Sequence, residues 1–376
     1  MIKCFKYRLY PTKQQVAAFE QMLETHRRLY NDALAERKDA WENEQRSVTY
    51  YHQALQLKER RKADTYLSAT NFSSCQTTLR RLDHSFQDFF RRVKRGQKPG
   101  HPRFKGKGRL DTVVFAAHGD GCKFDGQRVY FQHVGKVKVK LHRPVEGIIK
   151  ILGFKREAGN WYVLATCELP DVAPKPISSS VGIDMGIKSF LVTSDGEVVD
   201  TPHYRREAQA KLRRLQRSVA RKKRGSNRRK KAVRQLAKFH WHVANQRRDF
   251  HGKTAHHLVS DYDLITHEDL NTKGLCKTRL AKSIYDAGWG QFLSILTSKA
   301  AEAGVTVVAV NPKNTSQMCS QCGQLPTVKK KLSQRTHRCE HCGYTADRDL
   351  NAAENVLRLG LSLQALTCAD VRQCVA

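Results

Sequence analysis

The chain has 376 residues, which suggests two or three domains, and 40% of them are hydrophobic, enough for real cores. Lys and Arg number 68 against 35 Asp and Glu, a formal charge of +33 that calls for a polyanionic partner, extended nucleic acid foremost. No apolar run approaches the ~20 residues of a membrane-spanning helix, the N-terminus has no signal-peptide pattern, and seven scattered cysteines (Cys4, Cys75, Cys122, Cys167, Cys276, Cys368, Cys374) suit a reducing cytosol rather than a disulfide framework.

Residues 2–10 alternate in type like a strand, and Pro11 ends the run. Thr12 and Gln15 form a capping box ahead of a helix with Val16, Phe19, Leu23, Leu29 or Tyr30, Ala33 and Leu34 at helical spacing. A second helix is expected over 49–62. A third starts after Asn71 or Ser73, with Leu79, Leu82, Phe86, Phe89 and Val93 as its apolar stripe. Residues 96–108 form a basic, turn-rich loop. Strand-like runs follow at 112–117, 129–132, 136–141, 148–155 and 161–169, separated by glycines. They predict a small barrel or sandwich that the N-terminal strand joins, so that 12–95 is a helical insertion. Pro174-Lys175-Pro176 reads as a linker.

A further unit begins at 180 with an apolar strand ending on Asp184; the Asp195-Gly196 hairpin signal and the next strands follow. Residues 205–260 are helical and very basic, broken at Gly225 and recapped by Ser226. Leu212, Leu215, Val219, Val233, Leu236 and Val243 keep one side dry. Such local charge density favours binding along a nucleic-acid backbone. Tyr262–His267 is a short strand leading to Glu268, 284–303 a helix and Val305–Val310 another strand. Then come Cys319 and Cys322, sixteen residues, and Cys339 and Cys342, each pair followed by glycine: the spacing of a structural tetrahedral Zn²⁺ site. Asp347 and Asp349 open the last helix.

Asp184, Glu268 and an acid of the 347–349 pair each stand at the end of an element. Strand ends of one sheet can bring such acids together, and grouped carboxylates need cations to neutralise them. Oxygen donors of this kind suit Mg²⁺ or Mn²⁺, which support phosphodiester hydrolysis. From spacing alone each acid fits a turn or cap carboxylate equally well, and Asp347 and Asp349 are not separated.

At this point the chain resembles a known family, the transposon-encoded TnpB (OrfB) RNA-guided DNA endonucleases related to type V CRISPR effectors. The matching stretches are Phe5–Thr12, Arg27–Asn31, Pro102–Lys105, Gly182-Ile-Asp-Met-Gly186, the basic Leu212–Phe250 rod, His267–Leu270, Asn314–Gly343 and Asp347–Ala353. The resemblance implies a multidomain α+β fold. An N-terminal β-barrel wedge domain (1–11 and 96–175) would carry an inserted helical bundle, the recognition domain (12–95). A C-terminal RuvC-like (RNase H fold) α/β nuclease domain (177–310 and 346–358) would carry an inserted zinc ribbon (311–345). Residues 359–376 match no part of the pattern.

Carried over residue by residue, the catalytic and Mg²⁺-holding acids fall on Asp184, Glu268 and Asp349. Asn351 is a supporting residue. Arg335 is either a further support or a surface charge of the ribbon. Candidate nucleic-acid contacts are Arg8, Arg27, Arg28, Arg103, Lys105, Arg221, Lys222, Lys223, Arg228, Arg229, Lys230, Arg247 and Arg248. The implied partners are a guide RNA from the transposon end and double-stranded DNA with an adjacent motif, bound by a monomeric ribonucleoprotein in a bacterial or archaeal cytoplasm. The implied activity is metal-dependent cleavage of both DNA strands. A nuclease-silent RNA-guided repressor and a protein-only transposase stand as alternatives.

Overall fold

A computed structural model describes residues 1–331 and 333–374, with side chains described as far as Ala365. The side chains of Cys368 and Cys374, and most of those in the 359–376 tail, lie outside the described residues. The chain divides into two compact units, Met1–Asp171 and Val172–Ala376.

In the first unit, β1 (Ile2–Tyr10) buries Phe5, Tyr7 and Leu9 on one face, as strand alternation requires. Four helices follow: α1 (Lys13–Glu44), α2 (Tyr50–Ala63), α3 (Thr65–Ser68) and α4 (Phe72–Lys94). Six strands complete the unit: β2 (Thr112–Phe115), β3 (Cys122–Phe124), β4 (Arg128–Phe131), β5 (Gly135–Lys140), β6 (Ile148–Glu157) and β7 (Asn160–Glu168). The seven strands form one curled antiparallel sheet in the order β2-β6-β7-β1-β5-β4-β3, so the first strand of the chain lies at its middle. Phe19 of α1 packs on Phe131, Phe154 and Trp161 from the sheet, and each fully buried ring of this kind stabilises the unit by ~2–3 kcal/mol.

The capping box forms as read: the Gln15 backbone N–H donates to Thr12 Oγ1, and the Thr12 N–H donates to Gln15 Oε1. Leu29, Ala33, Leu34, Leu57, Leu79 and Leu82 make a separate helical core. Two expectations fail here. Val93 is half exposed, because the last turns of α4 outrun the helices that would cover them. Strand β3 was not foreseen, being three residues long and framed by the turn glycines Gly121 and Gly126.

The second unit holds β8 (Ser180–Asp184), β9 (Ser189–Thr193), β10 (Val198–Asp200), α5 (Tyr204–Glu207), α6 (Gln209–Ala220), α7 (Asn227–Asp261), β11 (Leu264–Glu268), α8 (Thr272–Leu275), α9 (Ala281–Ala287), α10 (Trp289–Ala303), β12 (Thr306–Val310), β13 (Thr336–Arg338), β14 (Thr345–Asp347) and α11 (Arg348–Cys374). Five of its strands form a sheet ordered β10-β9-β8-β11-β12. The first three are antiparallel, while β11 runs parallel to both β8 and β12. An antiparallel meander extended by parallel strands is the RNase H arrangement.

The expected single helix over 284–303 is two helices. Gly288, at φ +69°, takes a left-handed conformation open to glycine, which ends α9 and begins α10. On α7 the buried position is Ala232, and Val233 is exposed instead, a one-residue error of phase.

Helix α11 lies directly against the sheet because glycines make room. A Cβ on Gly182 would stand 2.1 Å from the Ala353 carbonyl oxygen and 2.6 Å from the Leu357 nitrogen. Both are backbone atoms of a packed helix and have nowhere to go. Gly182→Ala is therefore expected to destabilise the second unit by ~2 kcal/mol or more, read as a lowered thermal midpoint. An unchanged midpoint would show that α11 shifts freely on the sheet.

Candidate active site

Adjacent parallel strands β8 and β11 are in register, with His267 opposite Ile183, so Glu268 and Asp184 end their strands at the same level. Side chains two apart share a face of a strand. Gly182 faces α11, and a Cβ on Gly360 of α11 would touch Thr266. Asp184 and Glu268, two residues further along, therefore rise on the α11 side, while Val181, Ile183 and Ile265 feed the apolar core. Helix α11 delivers Asp349 in its first turn.

The electrostatics record this gathering. Burial, then the charges of Glu268 and Asp349, push the Asp184 carboxyl up to about 8; Arg348 opposes the shift and Asp347 adds to it. Burial also raises Glu268, which is itself 8% exposed, against the pull of the Thr315 hydroxyl hydrogen-bonded to its Oε1. Among the described residues the four cysteines are the group gathered closely enough to hold a metal ion, and the three carboxylates do not form such a group. Carboxylates whose charges act on one another in this way suit a hard divalent cation, which is a fit of donor chemistry.

The two acids of the last motif differ in use. Asp347 Oδ1 accepts the Asp349 backbone N–H at 2.8 Å, so Asp347 caps the helix. Asp349 is left for the cluster, with Arg335 Nη1 3.6 Å from its Oδ1.

Arg348 carried no role in the sequence reading. It is 6% exposed, and its guanidinium donates to the Lys331 carbonyl at 2.8 Å and to Ser316 Oγ at 3.3 Å. The sequence signal is an arginine between two acids; its burial appears only in the fold. Thr315 was equally unread, because a lone threonine before a zinc knuckle has no pattern.

The four cysteine Sγ atoms lie within 4.8 Å of one another; Cys319–Cys342 is 3.7 Å and Cys322–Cys339 is 3.6 Å. A tetrahedron of thiolates at ~2.3 Å from zinc has edges of about 3.8 Å, so the donor set fits the ion. Backbone N–H groups of Cys342 and His341 lower the Cys339 thiol, while, against the Tyr344 backbone N–H, burial and the neighbouring thiols raise Cys342, as expected of thiols crowded around one point with one proton shared between them. Asn351 ties this ribbon to α11: it accepts from the Ser320 N–H at 2.9 Å and donates to the Met318 carbonyl at 2.8 Å. Asn355 donates to the Thr315 and Met318 carbonyls.

The basic candidates divide. Arg27 is spent on Glu24 and the Lys105 carbonyl, and Arg8 on Asn160. The Lys105 ammonium lies over the Tyr30 ring. Lys222 turns back to Ser218, and Arg229 donates to the Val219 and Lys222 carbonyls, which closes the turn between α6 and α7. Arg28, Arg103, Arg221, Lys223, Arg228, Lys230 and Arg248 are exposed.

A "Putative RNA-guided DNA endonuclease" of Streptomyces pristinaespiralis is 34% identical over 98% of this chain and 91% of its own length. The chain belongs to the TnpB (OrfB) family. "Putative RNA-guided DNA endonuclease InsQ" of Escherichia coli K12 is 30% identical over 99% of this chain and 95% of its own. The OrfB family profile described as "Probable transposase" matches residues 165–279, and the "Cas12f1-like, TNB domain" profile matches 289–356. A further OrfB profile, described as a helix-turn-helix domain, matches 1–46. Here that stretch is a strand followed by one 32-residue helix. Among solved structures, a Cas12f1–sgRNA–target DNA complex shares the fold at TM-score 0.61 and 14% identity, over 95% of this chain and 98% of the other. This chain is thus a member of a transposon-associated RNA-guided nuclease family, and no described helix is long and apolar enough to cross a membrane.

Proposed function

We propose that this chain is a metal-dependent, guide-RNA-directed DNA endonuclease that cuts both strands of its target in one RuvC-like site. The carrying observation is the level pair Asp184 and Glu268 on neighbouring parallel strands, with Asp349 delivered by α11. Asp184, Glu268 and Asp349 would hold one or two Mg²⁺ or Mn²⁺ ions. When bound, these ions supply the Lewis acidity that activates water and stabilises the leaving 3′ oxygen.

The chain's own groups set up that chemistry. Thr315 fixes the Glu268 carboxylate, Arg348 offsets the excess negative charge, and Arg335 steadies Asp349 until DNA arrives. The exposed cations of α6 and α7 hold guide RNA by its phosphates, so affinity falls steeply with salt. The first unit reads a short motif beside the target through its exposed basic residues, and base pairing to the guide supplies the rest of the specificity. Zinc serves the ribbon structurally. The complex works as a monomeric ribonucleoprotein in the cytoplasm.

The test is to purify the chain with its co-expressed transposon end, sequence the bound RNA, and challenge the complex with a plasmid library randomised beside the guide match. The expected result is a discrete RNA and Mg²⁺-dependent linearisation of plasmids with one adjacent motif. Occupancy without any cut product would overturn the nuclease reading in favour of a repressor. RNase-insensitive joining of DNA ends would replace it with a transposase.

A further inference from the structure

Four residues past Glu268, the turn at Thr272–Lys277 and the first turn of α10 enclose a cleft of about 440 Å³. Its wall presents donors and no carboxylate. Arg247, Lys273 and Lys277 line it, and the two lysines are exposed. Trp289 also lines it, is 5% exposed, and its indole Nε1–H has no acceptor; the Arg247 Nε–H lacks one too.

Two buried N–H donors left unpaired in one wall are costly, at ~1–3 kcal/mol each, unless a ligand supplies acceptors. The fold adds a third source of the same sign. Helix α10 begins at Gly288 without a side-chain cap; the Gly288 N–H donates to the Ile284 carbonyl and the Gln291 N–H to the Gly288 carbonyl, so the donors this turn can add are the backbone N–H groups of Trp289 and Gly290, both in the lining. Gly288 also protects the arrangement, because a Cβ there would press on Arg247 Cδ and Nε at 3.2 and 3.3 Å. Arg247 is meanwhile anchored by donating from Nη1 to the Tyr285 carbonyl at 2.9 Å.

Three cations, two unpaired N–H donors, a lining without carboxylates and an open mouth describe a phosphodiester site. The cleft lies on the segment that leaves the Glu268 strand end, with Thr272 and Lys273 of its lining four and five residues beyond Glu268. We propose that it binds a backbone phosphate of the DNA strand being fed to Asp184, Glu268 and Asp349, through Trp289, Arg247, Lys273 and Lys277. This rests on the nuclease reading above.

The experiment uses the full chain loaded with guide RNA, in an Asp184→Asn background to prevent cutting. The probe is a fluorescent oligodeoxythymidine. Lys273→Ala with Lys277→Ala should weaken binding and lower the slope of log affinity against log salt by about 0.7, the release expected for one single-strand phosphate. Trp289→Phe keeps the ring and removes one neutral donor; about fivefold weaker binding is expected, with an unchanged salt slope. Guide RNA affinity, measured on the same proteins without DNA, should stay within twofold of the parent. Unchanged DNA binding in both variants overturns the site while leaving RNA-guided activity intact. A loss confined to RNA affinity overturns the DNA assignment. Failure of the parent to bind either nucleic acid indicts the function itself. The lysine pair is exposed, so its result does not depend on whether Trp289→Phe folds.

Discussion

Asp184→Asn should abolish DNA cutting by on the order of 10³-fold or more, leave guide RNA binding at the parent level, and raise the melting temperature of the metal-free protein at pH 8. The activity loss follows because a metal-held site supplies several kcal/mol of charge stabilisation, and each ~1.4 kcal/mol is tenfold in rate. The stability gain follows from the crowding of the acids. Asp184 sits at about 8 against an ordinary carboxylate value of 3.8, raised by burial and then by Glu268 and Asp349. A carboxyl raised on folding binds its proton more tightly in the folded state. Its contribution to stability is therefore full below about pH 4 and is lost as pH climbs from there through about 8. Asparagine is neutral throughout, so the variant escapes that loss and should melt several degrees higher at alkaline pH, with the difference vanishing near pH 4. A divalent cation should do for the parent what the proton does: Mg²⁺ should raise its midpoint at pH 8 and do so far less in the variant. Calorimetry across pH, with and without Mg²⁺, reads all of this. Equal midpoints at pH 8, or equal stabilisation of both proteins by Mg²⁺, would show that the acids do not share a site.

Much of this site was legible before any coordinates. Strand ends advertise themselves: an apolar run closed by an acid, as at Val181–Asp184 and again before Glu268, reads the same in one dimension as in three. The zinc set was legible for a similar reason, since a knuckle's ligands are local. What did not show in the sequence was contact. Asp184 and Glu268 are 84 positions apart, and only the parallel register of β8 and β11 sets them side by side. The choice between Asp347 and Asp349 was likewise closed to spacing, because both open the same helix. One hydrogen bond distinguishes them in the fold: Asp347 accepts the Asp349 N–H and so caps the helix, and the charge of Asp349 weighs more on Asp184 than that of Asp347 does.

The charged residues were the least legible. Arg221 and Lys222 look alike as neighbours in a basic run, yet one is exposed and the other folds back on Ser218. Arg229 looked like a phosphate contact and closes a turn between helices instead. A guanidinium takes carbonyls as readily as phosphates, and composition does not say which it will find. The break at Gly288 was missed because apolar spacing continues across it, while the helix axis does not.

Cys322→Ser should lose the bound zinc and, with the three acids untouched, cut DNA about 10²-fold more slowly. Serine offers a hard, protonated oxygen where the site needs a soft thiolate. Removing one ligand of four opens a set whose sulfurs already stand 3.6–3.7 Å apart across the two knuckles. The ribbon has little else to hold it, being a two-stranded β13–β14 hairpin with a few turns, and its folding free energy is largely metal binding. The damage then travels by identified bonds. Asn351 and Asn355 of α11 are tied to Ser320, Met318 and Thr315 in the segment that leads into the first knuckle, and Thr315 holds Glu268. Arg348 is fixed by the Lys331 carbonyl on the far side of the same ribbon. Melting the ribbon therefore frees Glu268, Arg348 and the start of α11 together, and a displacement of about 1 Å at a reacting centre costs about 10² in rate. The α11 body packed on Gly182 and Thr266 of the sheet should stay, so the main thermal transition and the helical content of the second unit survive. Zinc stoichiometry, limited proteolysis of 311–345 and single-turnover cutting read the three parts separately. A variant without zinc that cuts at the parent rate would show that Asp349 and Glu268 are positioned by the sheet and α11 alone.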